Sequence, residues 1–352
     1  MRDRSQTAGL YRVNFEGGEG AINRCGRFRR SAGAIWLCLA LAAAAFHPRP
    51  AAADQACKPT IEREIPVEFD GNRLLTWGVI DGARARMQIA TGSETTLLDY
   101  RAAIALHLRP DGKTLKPAIT PDGAKFSRDA FVRSISVGGY PWNQRSLAIG
   151  YTANDTKEDY PVVVRLGTDW LKGADIEIDP ICSRLIFWDV SDCSGDFVPW
   201  RESHIVVPLR SIPRGLMIVP VEIGGKKFDA LLATGTSISF MTSDAAVRAG
   251  MPKDIASAGL PDPIITRGGE NVPLRSFGFP DVRIGPEKIP LFQASVGKLG
   301  NHTVDMFLGF DYLKGRHVWI SYATKQLFLG PRPSADTVSA PAKPQQLPKT
   351  PK

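Results

Sequence analysis

The sequence has few cysteines and histidines and no long apolar run, which argues against a metalloprotein and against a membrane-spanning protein. The 352 residues include only five cysteines and five histidines. The histidines are scattered and no metal-ligand spacing is present, so neither a metal nor a cofactor is expected. The apolar run from Ala34 to Phe46 has 13 residues, well short of the roughly 20 that span a bilayer. No stable membrane span is therefore expected after removal of an N-terminal signal.

The part of the chain expected to fold also lacks a charge excess of either sign. The net charge of the whole chain is +8, but residues 54–330 carry 32 basic and 32 acidic side chains. The excess lies in the first 53 residues and in the tail, so no basic stripe remains to hold a polyanion. No nucleic-acid partner is expected.

The first 53 residues have the pattern of an export signal. Four arginines between Arg24 and Arg30 precede the apolar run, and Ala51–Ala53 offers a small-residue cleavage site before Asp54. The protein is therefore expected outside the cytoplasm, in a bacterial periplasm or secreted. An uncleaved anchor is the alternative.

Three cysteines remain after this region, which agrees with export. Cys182 and Cys193 flank an apparent strand, CSRLIFWDVSDC, whose ends could be joined across a turn. A Cys182–Cys193 disulfide is the first expectation. Cys57 is then left over, unless it takes one of those two partners; three unpaired thiols are the remaining alternative.

Internal repetition is the most informative feature of the chain. Residues 75–98 read LTWGVIDGARARMQIATGSETTLL and residues 218–241 read IVPVEIGGKKFDALLATGTSISFM, with the two Ala-Thr-Gly triplets 143 positions apart. Each segment has a two-residue turn, Asp81-Gly82 or Gly224-Gly225, between alternating apolar runs. This pattern predicts a hairpin leading into each triplet.

A second motif extends the repeat. Residues 166–173, LGTDWLKG, match residues 308–315, LGFDYLKG, at nearly the same distance from their triplets. A short helical pattern also follows each triplet, over Tyr100–Leu106 and Ser243–Ala249. Two equivalent lobes are therefore predicted, with a linker that contains Gly195 and Pro199.

These motifs resemble the retropepsin-like aspartic peptidases, and the tandem pair resembles a pepsin-like enzyme over roughly residues 62–330. The resemblance implies a mostly all-β, bilobal fold built from two retropepsin-like β-barrel halves with short helices. The predicted divisions are an export signal region (1–53), an N-terminal lobe (54–191), a linker (192–203), a C-terminal lobe (204–330) and a disordered, proline-rich tail (331–352).

In that family the first residue of each triplet is aspartate. The two carboxylates share a proton; one acts as general base on a water molecule and the other as acid toward the peptide carbonyl. This chain has Ala90 and Ala233 at those positions. Glu94, Asp99 and Asp229 are carboxylates close to the triplets in sequence, and each is expected to lie too far along the chain to substitute. No competent catalytic residue is therefore expected.

The residues around the missing carboxylates keep the family pattern. Thr91 and Thr234 match threonines whose hydroxyls bond across the lobe interface. The other matching residues, which would support a peptide site, are Gly92, Ser93, Gly235 and Thr236. Two turns, within residues 119–124 and 267–271, could close over a cleft or be surface hairpins.

Three functional interpretations remain open. The chain could be an aspartic peptidase scaffold disabled by replacement of both aspartates, or a natural pseudopeptidase that binds a peptide or protein segment in its inter-lobe cleft. A structural or envelope-interaction module is the third interpretation and rests on the tail, which contains six prolines. In each case the chain should not hydrolyse peptides and is expected to be a monomer.

Overall fold

The computed structural model describes residues 57–120, 123–144, 146–150, 162–253, 265–267, 270–272, 275–297 and 304–333. Within these, only the backbone is described for residues 110–128, 265–267 and 270–272. The expected export region, the tips of the two turns predicted within residues 119–124 and 267–271, and the tail beyond Pro333 lie outside the described residues.

The first half of the chain is dominated by strands. Its strands are β1 Thr60–Pro66, β2 Glu68–Asp70, β3 Arg73–Ile80, β4 Ala83–Ile89, β5 Leu97–Asp99, β6 Arg109–Thr120, β7 Gly123–Phe131, β8 Ile135–Val137, β9 Tyr140–Trp142, β10 Ser146–Gly150, β11 Val162–Leu166, β12 Asp175–Asp179 and β13 Arg184–Asp189. Its two short helices are α1 Tyr100–Ala105 and α2 Thr168–Leu171.

The second half has the same character. Its strands are β14 Ile205–Pro208, β15 Arg210–Ile212, β16 Leu216–Ile223, β17 Lys226–Leu232, β18 Phe240–Thr242, β19 Ile265–Arg267, β20 Glu270–Val272, β21 Arg275–Ile284, β22 Glu287–Gly297, β23 Met306–Leu308, β24 Val318–Ser321 and β25 Gln326–Leu329. Its helices are α3 Ser243–Arg248 and α4 Phe310–Leu313, with a 3-10 turn at Pro213–Gly215. The predicted mostly-β fold with short helices is confirmed.

The two halves share one topology, as their sequence repeat predicts. The hairpins β3–β4 and β16–β17 turn at Asp81-Gly82 and Gly224-Gly225, and all four turn residues have positive φ. This is the backbone that two-residue hairpin turns require. Strand β11 then pairs parallel with β4 and antiparallel with β5, and β23 pairs in the same way with β17 and β18.

The short helix after each triplet is held by a side-chain cap. Asp99 accepts a hydrogen bond from the Arg101 amide (2.9 Å) at the start of α1, and Thr242 accepts one from the Ala245 amide (3.1 Å) at the start of α3. Both residue types are strong N-caps because they satisfy amides that have no partner within the helix. The two helices predicted from the sequence are confirmed.

A third sheet joins the halves. Its strand order is β1-β13-β12-β24-β25-β14, so strands from both ends of the chain form one six-stranded layer. At its centre β12 and β24 run antiparallel with Ile176 opposite Ile320, and every residue of both strands is buried. Burial of this central pair ties the two lobes into one unit.

The linker segment packs on this sheet. Trp200 stacks on His317 with ring centroids 4.0 Å apart, and its Nε1 donates to Glu177 Oε1 at 2.8 Å. His317 also contacts Glu177 through Nε2, at 2.5 Å. The connection between the halves is therefore fixed against the sheet by aromatic stacking and charged hydrogen bonds.

The expected Cys182–Cys193 disulfide is wrong, and the alternative in which Cys57 takes one of these two partners is found. Cys193 bonds to Cys57, with the two Cα atoms 4.7 Å apart. Cys182 lies in the turn before β13 and Cys193 follows its other end, so the extended strand separates them by roughly 20 Å. Strand β1 runs antiparallel to β13 with Thr60 opposite Asp189, which brings Cys57 to the end where Cys193 lies. The pairing follows from a strand register that the local sequence did not reveal.

Replacing Cys57 with serine should lower the free energy of unfolding by about 2–4 kcal/mol, because the bond closes a long loop in the unfolded chain. Urea unfolding of the oxidised protein and of Cys57→Ser measures this difference. Peptide mapping without reduction should recover a Cys57–Cys193 cross-link. Recovery of a Cys182–Cys193 peptide instead would contradict the structure.

Candidate functional site

The two Ala-Thr-Gly triplets form matching turns. The Ala90 amide, directly after β4, donates to Leu166 O at 2.9 Å, and the Ala233 amide, directly after β17, donates to Leu308 O at 2.9 Å. Each turn is thus held to the strand that leads into the LGxDxLKG motif of its own half.

The threonines bind the two turns to each other. The Thr91 hydroxyl accepts from the Thr234 amide at 3.1 Å and donates to Leu232 O at 2.9 Å. In return the Thr234 hydroxyl accepts from the Thr91 amide at 3.1 Å and donates to Ile89 O at 2.9 Å. Both threonines are buried, so these four hydrogen bonds satisfy groups that have no access to water.

The glycines allow this close approach. A Cβ atom on Gly92 would lie 2.7 Å from Ala233 Cβ, and a Cβ atom on Gly235 would lie 2.7 Å from Ala90 Cβ. These distances are well inside van der Waals contact. Each alanine methyl therefore packs against the glycine of the opposite turn, with Ala90 and Ala233 only 1% and 2% exposed.

Ser93 and Thr236 use their hydroxyls within their own turns. Ser93 Oγ donates to Thr95 O at 2.8 Å, and Thr236 Oγ1 donates to Ala233 O at 2.9 Å. Both residues are partly exposed. These hydrogen bonds stabilise the turns.

The three carboxylates considered as substitutes have partners of their own. Glu94 forms an ion pair with Arg214 at 2.5 Å, and Asp99 caps α1. Asp229 forms an ion pair with Arg210. These contacts give each of the three a structural role.

The sequence did not predict a role at the site for the aspartates of the LGxDxLKG motif. Asp169 accepts from the Thr96 amide at 3.0 Å and from its hydroxyl at 2.7 Å, and that hydroxyl accepts from the Gly167 amide at 3.0 Å. The second half repeats the arrangement. Asp311 accepts from the Ser239 amide at 2.8 Å and from its hydroxyl at 2.7 Å.

Burial raises the pKa of Asp311, and the hydrogen bonds from Ser239 oppose that rise. The aspartate therefore clamps the loop after its triplet to the helix that follows β23. The sequence did show that both copies of the motif hold aspartate at the same position. The residue that each aspartate binds lies more than 70 positions away in sequence, so the contact could not be predicted.

Gln88 connects the lobes just before the first triplet. It is buried, and its Nε2 donates across the interface to Gly235 O at 3.3 Å. Its position in the repeat corresponds to Leu231 of the second half, so this contact has no counterpart there.

The two turns predicted within residues 119–124 and 267–271 are flanked by paired strands. Strands β6 and β7 pair up to Thr120 opposite Gly123, and β19 and β20 pair up to Arg267 opposite Glu270. Within the described residues no group of three or more histidine, cysteine, aspartate or glutamate side chains could hold a metal ion. None of the described helices has the length and apolar character of a membrane span.

Residues 219–312 match the family model of the aspartyl proteases. This range covers most of the second lobe, including Ala233 and the first five residues of the second LGxDxLKG motif, Leu308 to Tyr312. The resemblance predicted from the repeats is therefore confirmed. No curated protein sequence matches the chain.

Several solved structures are similar to this chain. A retropepsin-like aspartic protease from Rickettsia conorii is 20% identical, with 36% of this chain and 89% of that chain covered and a TM-score of 0.28. An aspartic proteinase from Irpex lacteus is 14% identical, with 76% and 96% covered and a TM-score of 0.41. Basic 7S globulin from soybean is 11% identical, with 76% and 93% covered and a TM-score of 0.41.

Replacing Thr91 with valine should destabilise the protein by about 2–4 kcal/mol, because the Thr234 amide and Leu232 O would be left buried and unpaired. Valine keeps the shape of the side chain, so the loss reports on the hydrogen bonds. Urea unfolding measures it. Ser93→Ala is the matched control, since its hydroxyl bonds within its own turn and is partly exposed. Equal losses in the two variants would contradict the role given to Thr91.

Proposed function

We propose that this chain is an aspartic peptidase scaffold that binds an extended peptide or protein segment between its lobes and does not hydrolyse it. The observation that carries the proposal is the presence of Ala90 and Ala233 at the two positions where the peptidase dyad would stand. Both are buried at the lobe interface.

The chemistry explains why these two positions matter. Peptide hydrolysis by a carboxylate dyad needs one group that removes a proton from water and another that donates a proton to the carbonyl. A methyl group does neither. The adjacent hydroxyls of Ser93 and Thr236 are neutral groups, and both already donate to backbone carbonyls.

Retention of the surrounding network supports a functional cleft. The reciprocal threonine bonds, the close glycine contacts and the aspartate clamps occur in both halves. Two carboxylates held close together repel each other, so alanine at both positions removes an electrostatic cost and preserves the fold. A rigid interface of this kind can still position a bound peptide backbone.

The same retention supports a second candidate. An aspartic peptidase whose two catalytic aspartates have been replaced by alanine would also keep every contact around them. The two candidates share the scaffold and the absence of hydrolysis, and they differ in whether binding is the selected activity.

We also propose an exported location. The Cys57–Cys193 disulfide is typical of oxidising compartments outside the cytoplasm, and it supports the export signal inferred from the first 53 residues.

Peptide selection tests the binding function. Random decapeptides selected on the immobilised chain should yield enriched sequences, and photo-cross-linking versions of them should label segments near both triplets. Selection on the Thr91→Val variant, under conditions where it stays folded, gives a control with a loosened interface. No enrichment, or labelling confined to one outer surface, would reject a peptide-binding cleft.

A further inference from the structure

The strand register identifies which residues surround Ala90 and Ala233 in equivalent places. In the second half Phe307 of β23 lies opposite Leu231 and Phe240 of its two neighbouring strands. In the first half Arg165 of β11 lies opposite Gln88 and Leu97 of its neighbours. Arg165 and Gln88 therefore occupy the positions of Phe307 and Leu231.

In the second half the side chains around Ala233 are apolar. Leu231, Phe240 and Phe307 are buried in one hydrophobic cluster with Ala233. Phe240 and Phe307 stack with ring centroids 4.4 Å apart. A group bound beside Ala233 meets hydrocarbon.

In the first half, two of the three equivalent positions around Ala90 are polar, because Gln88 and Arg165 stand there. Gln88 lies on the same strand face as Ala90, since side chains two residues apart in a strand share a face. Leu97 remains, but its small apolar cluster contains only Ala148. The described residues around Ala90 therefore do not form an apolar cluster like the one around Ala233.

Arg165 lies at the interface beside Ala90. Its Cδ atom is 3.8 Å from the point where Gly235 would carry a Cβ atom, and Ala90 Cβ is 2.7 Å from that same point. The side chain is partly buried. Arg165 therefore reaches the site from the first lobe and borders a turn of the second.

Among the residues that the structure describes, no carboxylate pairs with Arg165. Its Nε atom is buried and has no hydrogen-bond partner in the part of the chain that the structure describes. Burial lowers the pKa of the guanidinium, and no carboxylate among the described residues counters that effect. Arginine still remains protonated, so the site holds a cation whose desolvation is offset by no anion in the described part of the chain.

We propose that Arg165, with Gln88 beside it, forms a carboxylate-binding subsite next to Ala90. The ligand chemistry is a carboxylate, from a glutamate or aspartate side chain or from the C-terminus of a bound peptide. A planar guanidinium matches a carboxylate through charge-assisted, bidentate hydrogen bonds. The subsite rests on the proposed peptide-binding function and adds the class of ligand that the cleft prefers.

Matched peptides test the preference. One enriched decapeptide is made in amidated form with glutamate or glutamine at each position in turn, and also with a free C-terminal carboxylate. At one position glutamate, or else the free C-terminus, should bind about tenfold or more tightly than its neutral counterpart. The position of the effect distinguishes a side-chain carboxylate from a chain end.

Variants assign that preference to Arg165. Arg165→Leu should abolish it, and Arg165→Lys should keep part of it because the charge remains. Arg165→Leu should also fold at least as stably as the parent chain, since it removes a desolvated cation that pairs with no carboxylate among the described residues. Arg133→Leu is the charge-matched control: Arg133 is exposed and pairs with Asp81 at the far end of β4, so its loss should leave the preference unchanged.

A small probe separates this subsite from peptide binding as a whole. The Arg165 Nε–H NMR signal, assigned by its absence in Arg165→Leu, is followed during titration with N-acetylglutamate amide and N-acetylglutamine amide. A shift with the glutamate compound alone supports the subsite even if no decapeptide binds, a result that rejects the proposed function. Peptide binding with no acidic preference and no selective shift overturns the subsite and leaves the function standing. Failure of both measurements overturns both proposals.

Discussion

The reciprocal hydrogen bonds between Thr91 and Thr234 are the constraint on which the site depends. Each hydroxyl accepts from the amide of the other threonine and donates to a carbonyl in the opposite lobe. This double exchange needs the two turns in close contact, which in turn requires glycine at positions 92 and 235. The placement of Ala90 and Ala233 follows from that contact.

Around this constraint the two lobes are alike in backbone and different in chemistry. Strand pairing, turns, helix caps and aspartate clamps are duplicated. The side chains facing the interface differ: Leu231 and Phe307 belong to an apolar cluster in the second half, whereas Gln88 and Arg165 take their places in the first. The two halves therefore share a duplicated backbone, and the side chains around Ala90 and Ala233 differ in polarity.

Much of the fold follows from local sequence signals. The turns Asp81-Gly82 and Gly224-Gly225 predicted their hairpins because such residues tolerate positive φ. The spacing of the triplets and of the LGxDxLKG motifs predicted two equivalent lobes. These signals act over a few residues or repeat along the chain, so a single sequence reveals them.

Other features depend on contacts between distant segments. The Cys57–Cys193 bond depends on the register of β1 against β13, and CSRLIFWDVSDC alone favoured the wrong pair. The hydrogen bonds from Thr96 to Asp169 and the position of Arg165 beside Ala90 likewise arise from strands that meet only in the folded protein. In a linear sequence Arg165 is one charge within an apolar strand.

We propose that this architecture lacks hydrolytic activity because two carboxylates are missing. Digestion of a mixed peptide library between about pH 3 and 7, comparing this chain with the Ala90→Asp, Ala233→Asp double variant, tests it most directly. The account predicts no cleavage by this chain, and cleavage by the double variant that a pepstatin-like inhibitor stops. Hydrolysis by the unmodified chain at a rate comparable to that of the double variant would contradict it.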